Sequence, residues 1–151
     1  MIRDATQEDA QRLAEMGADF FKEAGLEERG VTFDVESFLT FCGGLSSVGV
    51  LLVAEWDGDA VGMIGLAVMP AYWNVNVRLA QECFLWVDPA HRKGVGRMLL
   101  EEGEKRALAM GAVLSSMVSE HGLRGDAVGQ LFRRKGYSPA ETVFWKRLQA
   151  A

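Results

Sequence analysis

The stretch that decides the fold is "CFLWVDPAHRKGVGRMLLEEGEKRALAMGA", Cys83 to Ala112. An apolar run ends at Asp88-Pro89 and a short basic segment with Gly94 and Gly96 follows. Leu99, Gly103, Ala107 and Met110 then recur on one helical face, and Gly111 supplies a stop. This pattern predicts a strand, a glycine turn and a helix in immediate succession. The first amides of such a helix have no intrahelical partner, and Arg92, Lys93 and Arg97 add positive charge around them. Two explanations fit these residues: a tight scaffold turn with solvated charges, or a seat for phosphate or pyrophosphate. Two nucleotide motifs are excluded. The P-loop spacing is absent, and the dinucleotide fingerprint lacks its third glycine because Leu99 stands three residues after Gly96.

Upstream, Ile2-Arg3 reads as a short strand, and Thr6-x-x-Asp9 starts a helix whose apolar positions run to Ala24 before Gly25. Asp34 caps a second helix that Gly43-Gly44 is expected to end. "SVGVLLVAEW" and "AVGMIGLAVM" flank Asp57-Gly58, a hairpin signal, and both are apolar enough to be covered on two faces. "PAYWNVN" reads as a break before the strand "VRLAQECFLWV". "VLSSMV" is a further strand, Asp126 to Arg134 a short helix, and "TVFWKRL" a closing strand. Three strands in succession, followed by a strand–helix–strand unit, predict a mixed α/β sheet with helices on both faces and parallel strands across the Cys83–Val118 crossover.

The length of 151 residues and an apolar fraction of 49% suit one domain over residues 1–151 with one core. A net charge of −5 argues against general nucleic-acid binding. No apolar run reaches membrane-span length, the charged start lacks a signal-peptide pattern, and Cys42 and Cys83 have no paired spacing. These features predict a soluble cytoplasmic protein without a membrane partner. With two histidines and no Cys-x-x-Cys, a metal site has no support.

The segments "WVDPAHRKGVGRMLL", "EEGEKRALAMGA", "VLSSMV" and "LFRRKGYSPAETVFWKRL", with the opening "IRDATQEDAQRLAEM", resemble the GNAT N-acetyltransferase superfamily in order and spacing over essentially the whole chain. The resemblance implies a central sheet of about six or seven strands. It also implies acetyl-coenzyme A as cosubstrate and direct acetyl transfer to a primary amine of a small molecule or peptide; homodimers are common in such proteins. The pyrophosphate role falls by resemblance on Arg92, Lys93, Gly94, Val95, Gly96 and Arg97, and the pantetheine arm pairs beside Phe84, Leu85, Trp86 and Val87. The chain departs from the family pattern in three places. His91 stands where the signature has Arg or Gln and the turn is one residue short; Phe132 occupies the position of the usual acidic tyrosine; and the asparagine of the last helix has no counterpart. The first two departures, the altered turn and Phe132, motivate an alternative, a catalytically impaired acyl-coenzyme A-binding regulatory module.

Two residues are candidates for moving protons. Glu82, a carboxylate in an otherwise apolar strand, alternates with Phe84 and Trp86 and could act as a base, or could be an ordinary strand-start charge. His121, in the loop after "VLSSMV", could act as acid or base, or be an exposed loop histidine. Tyr72, Trp73 and Asn74 could line an acceptor pocket or form a packed connection. Trp56 and Trp145 are expected to pack on the sheet, and Phe20, Phe21, Phe33, Phe38 and Phe41 to form core or groove wall.

Overall fold

The computed structural model describes residues 1–120 and 125–148. Among them, the strands β1 (Ile2–Asp4), β2 (Gly49–Trp56), β3 (Asp59–Ala71), β4 (Asn74–Val87) and β5 (Ala112–Ser116) form a five-stranded sheet in sequential order. β1 to β4 are antiparallel neighbours, and β5 pairs with β4 in parallel. The helices are α1 (Ala10–Glu23), α2 (Val35–Val48), α3 (Val95–Ala109) and α4 (Gly125–Arg134). No helix among the described residues is long and apolar enough to cross a membrane.

Alternation along β2 and β3 divides the core in two, because successive side chains point to opposite faces. Leu52, Ile64, Leu66, Ala80 and Val87 pack with Leu99 and Ala107 of α3. Leu51, Val53, Met63, Phe84 and Trp86 pack on the other face with Leu13 and Met16 of α1 and Cys42 and Leu45 of α2. Gly103 lets α3 approach closely: a Cβ there would lie 3.2 Å from Ile64 Cδ1 and Leu66 Cδ1. A chain of rings runs from Phe21 through Phe33 and Phe38 to Phe84, with Phe20 edge-on to Phe84.

Several local expectations hold. Asp57 (φ 51°) and Gly58 (φ 90°) make the hairpin turn, Gly25 follows α1, and Asp34 accepts the Ser37 amide at 2.8 Å as the α2 cap. Others are corrected. α2 continues through Gly43-Gly44 to Val48, because Cys42 and Leu45 anchor it on the sheet across the glycines. "PAYWNVN" is no break: β3 and β4 are long and meet in a tight turn at Tyr72-Trp73. "TVFWKRL" lies outside the sheet, since β-propensity makes no strand without a ladder partner, and the strand count is therefore lower than expected. Trp56 and Trp145 are 57% and 64% exposed rather than packed on the sheet, and Phe41 is 47% exposed.

Candidate active site

The site begins where β5 lets go of β4. Their pairing runs from Arg78↔Ala112 to Gln81↔Ser116, while β4 continues to Val87, so among the described residues no strand pairs with the outer edge of Glu82–Val87. At the parting point β4 carries a bulge: Leu66 faces Glu82, Gly65 faces Phe84, and Cys83 is the extra residue. The bulge inverts the simple alternation. Through their partners Leu66, Ile64 and Gly62, Glu82, Leu85 and Val87 share the α3 face, while Phe84 and Trp86 turn to the α1/α2 core. Glu82 thus does not alternate with Phe84 and Trp86 as the unbulged sequence predicts.

Glu82 is half-buried, and its Oε2 accepts the Val118 amide at 2.7 Å across the gap. Burial pushes its carboxyl up to about 8; the Val118 hydrogen bond opposes this and the nearby Glu120 carboxylate adds to it. A carboxyl poised there can exchange a proton near neutral pH.

Beyond Val87 a short 3-10 turn, Pro89–His91, leads to Gly94, whose φ of +92° requires glycine, and α3 starts at Val95. The Met98 amide is bonded to the Gly94 carbonyl, so the amides just before it head the helix. Two ion pairs with α1 fix this turn. Arg12 donates to Asp88 at 2.6 Å, and Arg92 Nη2 lies 2.8 Å from both Glu23 carboxylate oxygens while its Nε donates to the Val87 carbonyl at 2.9 Å. His91 turns its ring toward Trp56, with centroids 6.2 Å apart, and its Nδ1 is buried without a partner among the described residues.

A cavity of about 740 Å³ opens between the β4 edge, the α3 N-terminus and α4. Of the expected coenzyme residues, Leu85, Trp86, Val87, Arg92, Gly94, Gly96 and Arg97 line it. Phe84 and Val95 are buried in the two cores instead, and Lys93 is exposed beside the cavity-lining residues of the turn. Glu23, Glu101, Leu131, Arg134 and Lys135 complete much of the wall, residues that the motif did not single out. A Cβ on Gly96 would meet only Val87 Cγ2, at 3.8 Å, so packing within the protein does not demand glycine there.

Phe132 is buried, and its ring lies 5.6 Å from that of Tyr137. The Tyr137 hydroxyl bonds Ser115 Oγ at 3.0 Å; burial pushes it well above the usual tyrosine range, with Glu104 and Glu82 adding to the shift. Tyr72 and Trp73 are exposed and in edge contact at the hairpin tip with Asn74, and none of the three lines the cavity. His121 lies outside the described residues.

The model of the acetyltransferase (GNAT) family matches residues 11–137, and the chain belongs to that family. No curated protein matches it. Three similar solved structures share the fold. An aminoglycoside 6′-N-acetyltransferase from Acinetobacter haemolyticus is 19% identical with TM-score 0.72, over 100% of this chain and 99% of that one. A transcriptional regulator from Bacillus halodurans is 20% identical with TM-score 0.77, over 98% and 99%. A predicted acetyltransferase from Clostridium acetobutylicum, solved with acetyl-CoA, is 16% identical with TM-score 0.70, over 99% and 95%.

Proposed function

We propose that this chain is an acetyl-coenzyme A-dependent N-acetyltransferase that acts on a primary amine of a small molecule or peptide. The observation that carries the reading is the single cavity wall formed by the free β4 edge and the α3 N-terminus. An extended amide-bearing arm can pair with the unladdered edge at Leu85 and Val87, and the head amides of α3 can receive phosphate oxygens. The open space at Gly96 fits a group that approaches the backbone closely. Lys93 and Arg97 add charge at that end. When bound, the coenzyme would supply an acyl group activated as a thioester.

Glu82 is the proposed proton acceptor for the incoming amine, directly or through one water, because its raised carboxyl holds and releases a proton close to neutral pH. His121 stands as a second proposed proton carrier. Tyr72, Trp73 and Asn74, at the hairpin tip away from the cavity, remain proposed contacts for an acceptor that extends along β4. Calorimetric titration with acetyl-coenzyme A, followed by a free-thiol assay across a panel of amines, tests the reading: binding with amine-dependent thiol release is expected, and absence of binding overturns it.

Burial of Phe132, which has no hydroxyl to give at the position of the family's tyrosine, favours a second reading, a coenzyme-binding module with little turnover. Binding without thiol release from any amine would select it.

A further inference from the structure

Arg92 looks from the sequence like a phosphate ligand, yet two of its nitrogens are already committed inside the protein. Nε donates to Val87 O at 2.9 Å, and Nη2 sits 2.8 Å from both oxygens of Glu23, the last residue of α1. We propose that Glu23 makes Arg92 a positioning residue: the pair locks the guanidinium across the end of β4, and the anion is left to the α3 head amides, Lys93 and Arg97. The proposal rests on the coenzyme reading above and deepens it.

Charge is the first reason. Glu23 and Arg92 both line the cavity, and together they contribute no net charge to it. A phosphate that drew Arg92 away would leave the Glu23 carboxylate uncompensated in the same wall, and one anion would repel the other. The pair is also sheltered, with side chains 24% and 31% exposed, so solvent does not erase its attraction. Arg97 differs: it is 63% exposed, and its carboxylate neighbour Glu101 is 3.8 Å away, a distance that leaves the guanidinium free to turn toward a ligand.

Position is the second reason. The Val87 carbonyl is the last of β4, so the Arg92 Nε bond closes the free edge at that end. An extended ligand pairing along the edge must leave the strand there and meet the turn. Arg12, which holds Asp88 at 2.6 Å, fixes the other side of the same corner from the same helix.

The test is a double-variant cycle read by calorimetric titration with coenzyme A, with thermal melting to show that each variant folds. Arg92→Gln is expected to weaken binding about 10-fold, because it strands Glu23 beside the anion. Glu23→Gln alone is expected to tighten binding about 3-fold, since Arg92 is no longer neutralised. The Glu23→Gln/Arg92→Gln variant is expected to recover most of the loss. The Arg92→Gln deficit should also shrink at high salt, which screens a repulsion but not a simple loss of shape. A double variant as weak as Arg92→Gln would show Arg92 touching the phosphate, and a deficit unchanged by salt would show a loss of shape rather than a repulsion; either overturns the inference while leaving the coenzyme reading intact. Wild-type protein that does not bind coenzyme A overturns both.

Discussion

The Glu82 carboxylate accepts the Val118 amide at 2.7 Å, bridging β4 to the chain beyond β5 at the point where the two strands separate. A group held there by one backbone amide, with its carboxyl raised to about 8, is half protonated just above neutral pH. If Glu82 removes the amine proton, the rate of thiol release rises with pH through about 8. Glu82→Gln removes that limb of the profile and lowers kcat about 10²–10⁴-fold. A variant with an unaltered pH profile would assign the base elsewhere.

The same carboxyl sets a stability slope. Its folded pKa of about 8 lies above the ordinary 4.5, so between these values the folded chain holds a proton that the unfolded chain has released. Stability from this group is therefore present at low pH and lost as pH rises toward 8. Urea midpoints from pH 5 to pH 9 should fall less for Glu82→Gln than for the wild type.

Gly94 and Gly96 should separate backbone strain from ligand space. Gly94 has φ +92°, so Gly94→Ala costs stability, on the order of 1–2 kcal/mol. Gly96 has ordinary helical geometry, and its nearest neighbour to an added Cβ is 3.8 Å away. Gly96→Glu should therefore melt close to the wild-type temperature yet lose measurable coenzyme A binding. Unchanged affinity in that variant would remove the phosphate role from the α3 N-terminus.

Asp9 is buried, accepts two hydrogen bonds from Arg3 at 2.8 and 2.9 Å and takes the Thr6 amide at 2.7 Å. The Arg3 hydrogen bonds hold its carboxyl down at about 2, below the ordinary 3.8. This contribution is complete above pH 4 and lost as pH falls toward 2, and by linkage it amounts to roughly 2 kcal/mol. Asp9→Asn should lower the melting temperature at pH 7, and the gap to the wild type should narrow in acid.

Phe84 closes the ring chain that joins α1 and α2 to the sheet and is 3% exposed. Phe84→Ala should cost about 3–5 kcal/mol in chemical denaturation. A loss below about 1 kcal/mol would mean that the aromatic chain does little to hold the helices.

The strand–turn–helix core of the fold was legible because its signals are local: the apolar run before Asp88, the glycines, and the helical spacing of Leu99, Gly103 and Ala107. The hairpin at Asp57-Gly58 was legible for the same reason. What sequence did not reveal depends on partners distant in the chain. Glu23 and Arg92 are 69 residues apart, and nothing in either neighbourhood signals the other. Helical i,i+4 spacing would pair Glu101 with Lys105, but Lys105 pairs with Glu102 and Glu101 takes Lys135 at 2.9 Å, a cation placed just after α4 and 34 residues away. The bulge at Cys83 is silent in an apolar run, so Glu82 could be singled out by residue type while its face was misassigned. "TVFWKRL" failed as a strand prediction because propensity describes a residue's fit to a sheet and does not supply the neighbouring strand.

That one surplus residue in β4 works as a phase shifter. Downstream of Cys83 the strand keeps its register for the α1/α2 core, with Phe84 and Trp86 inside; upstream of it the same parity would have sent Glu82 into that apolar core. Were Cys83 held in the ladder instead of bulged out, Glu82, Phe84 and Trp86 would share one face, and the chain would have to bury a carboxylate or expose two aromatic rings. A half-buried carboxyl and an unbroken aromatic core can therefore stand two residues apart on a single strand only because the backbone miscounts by one between them.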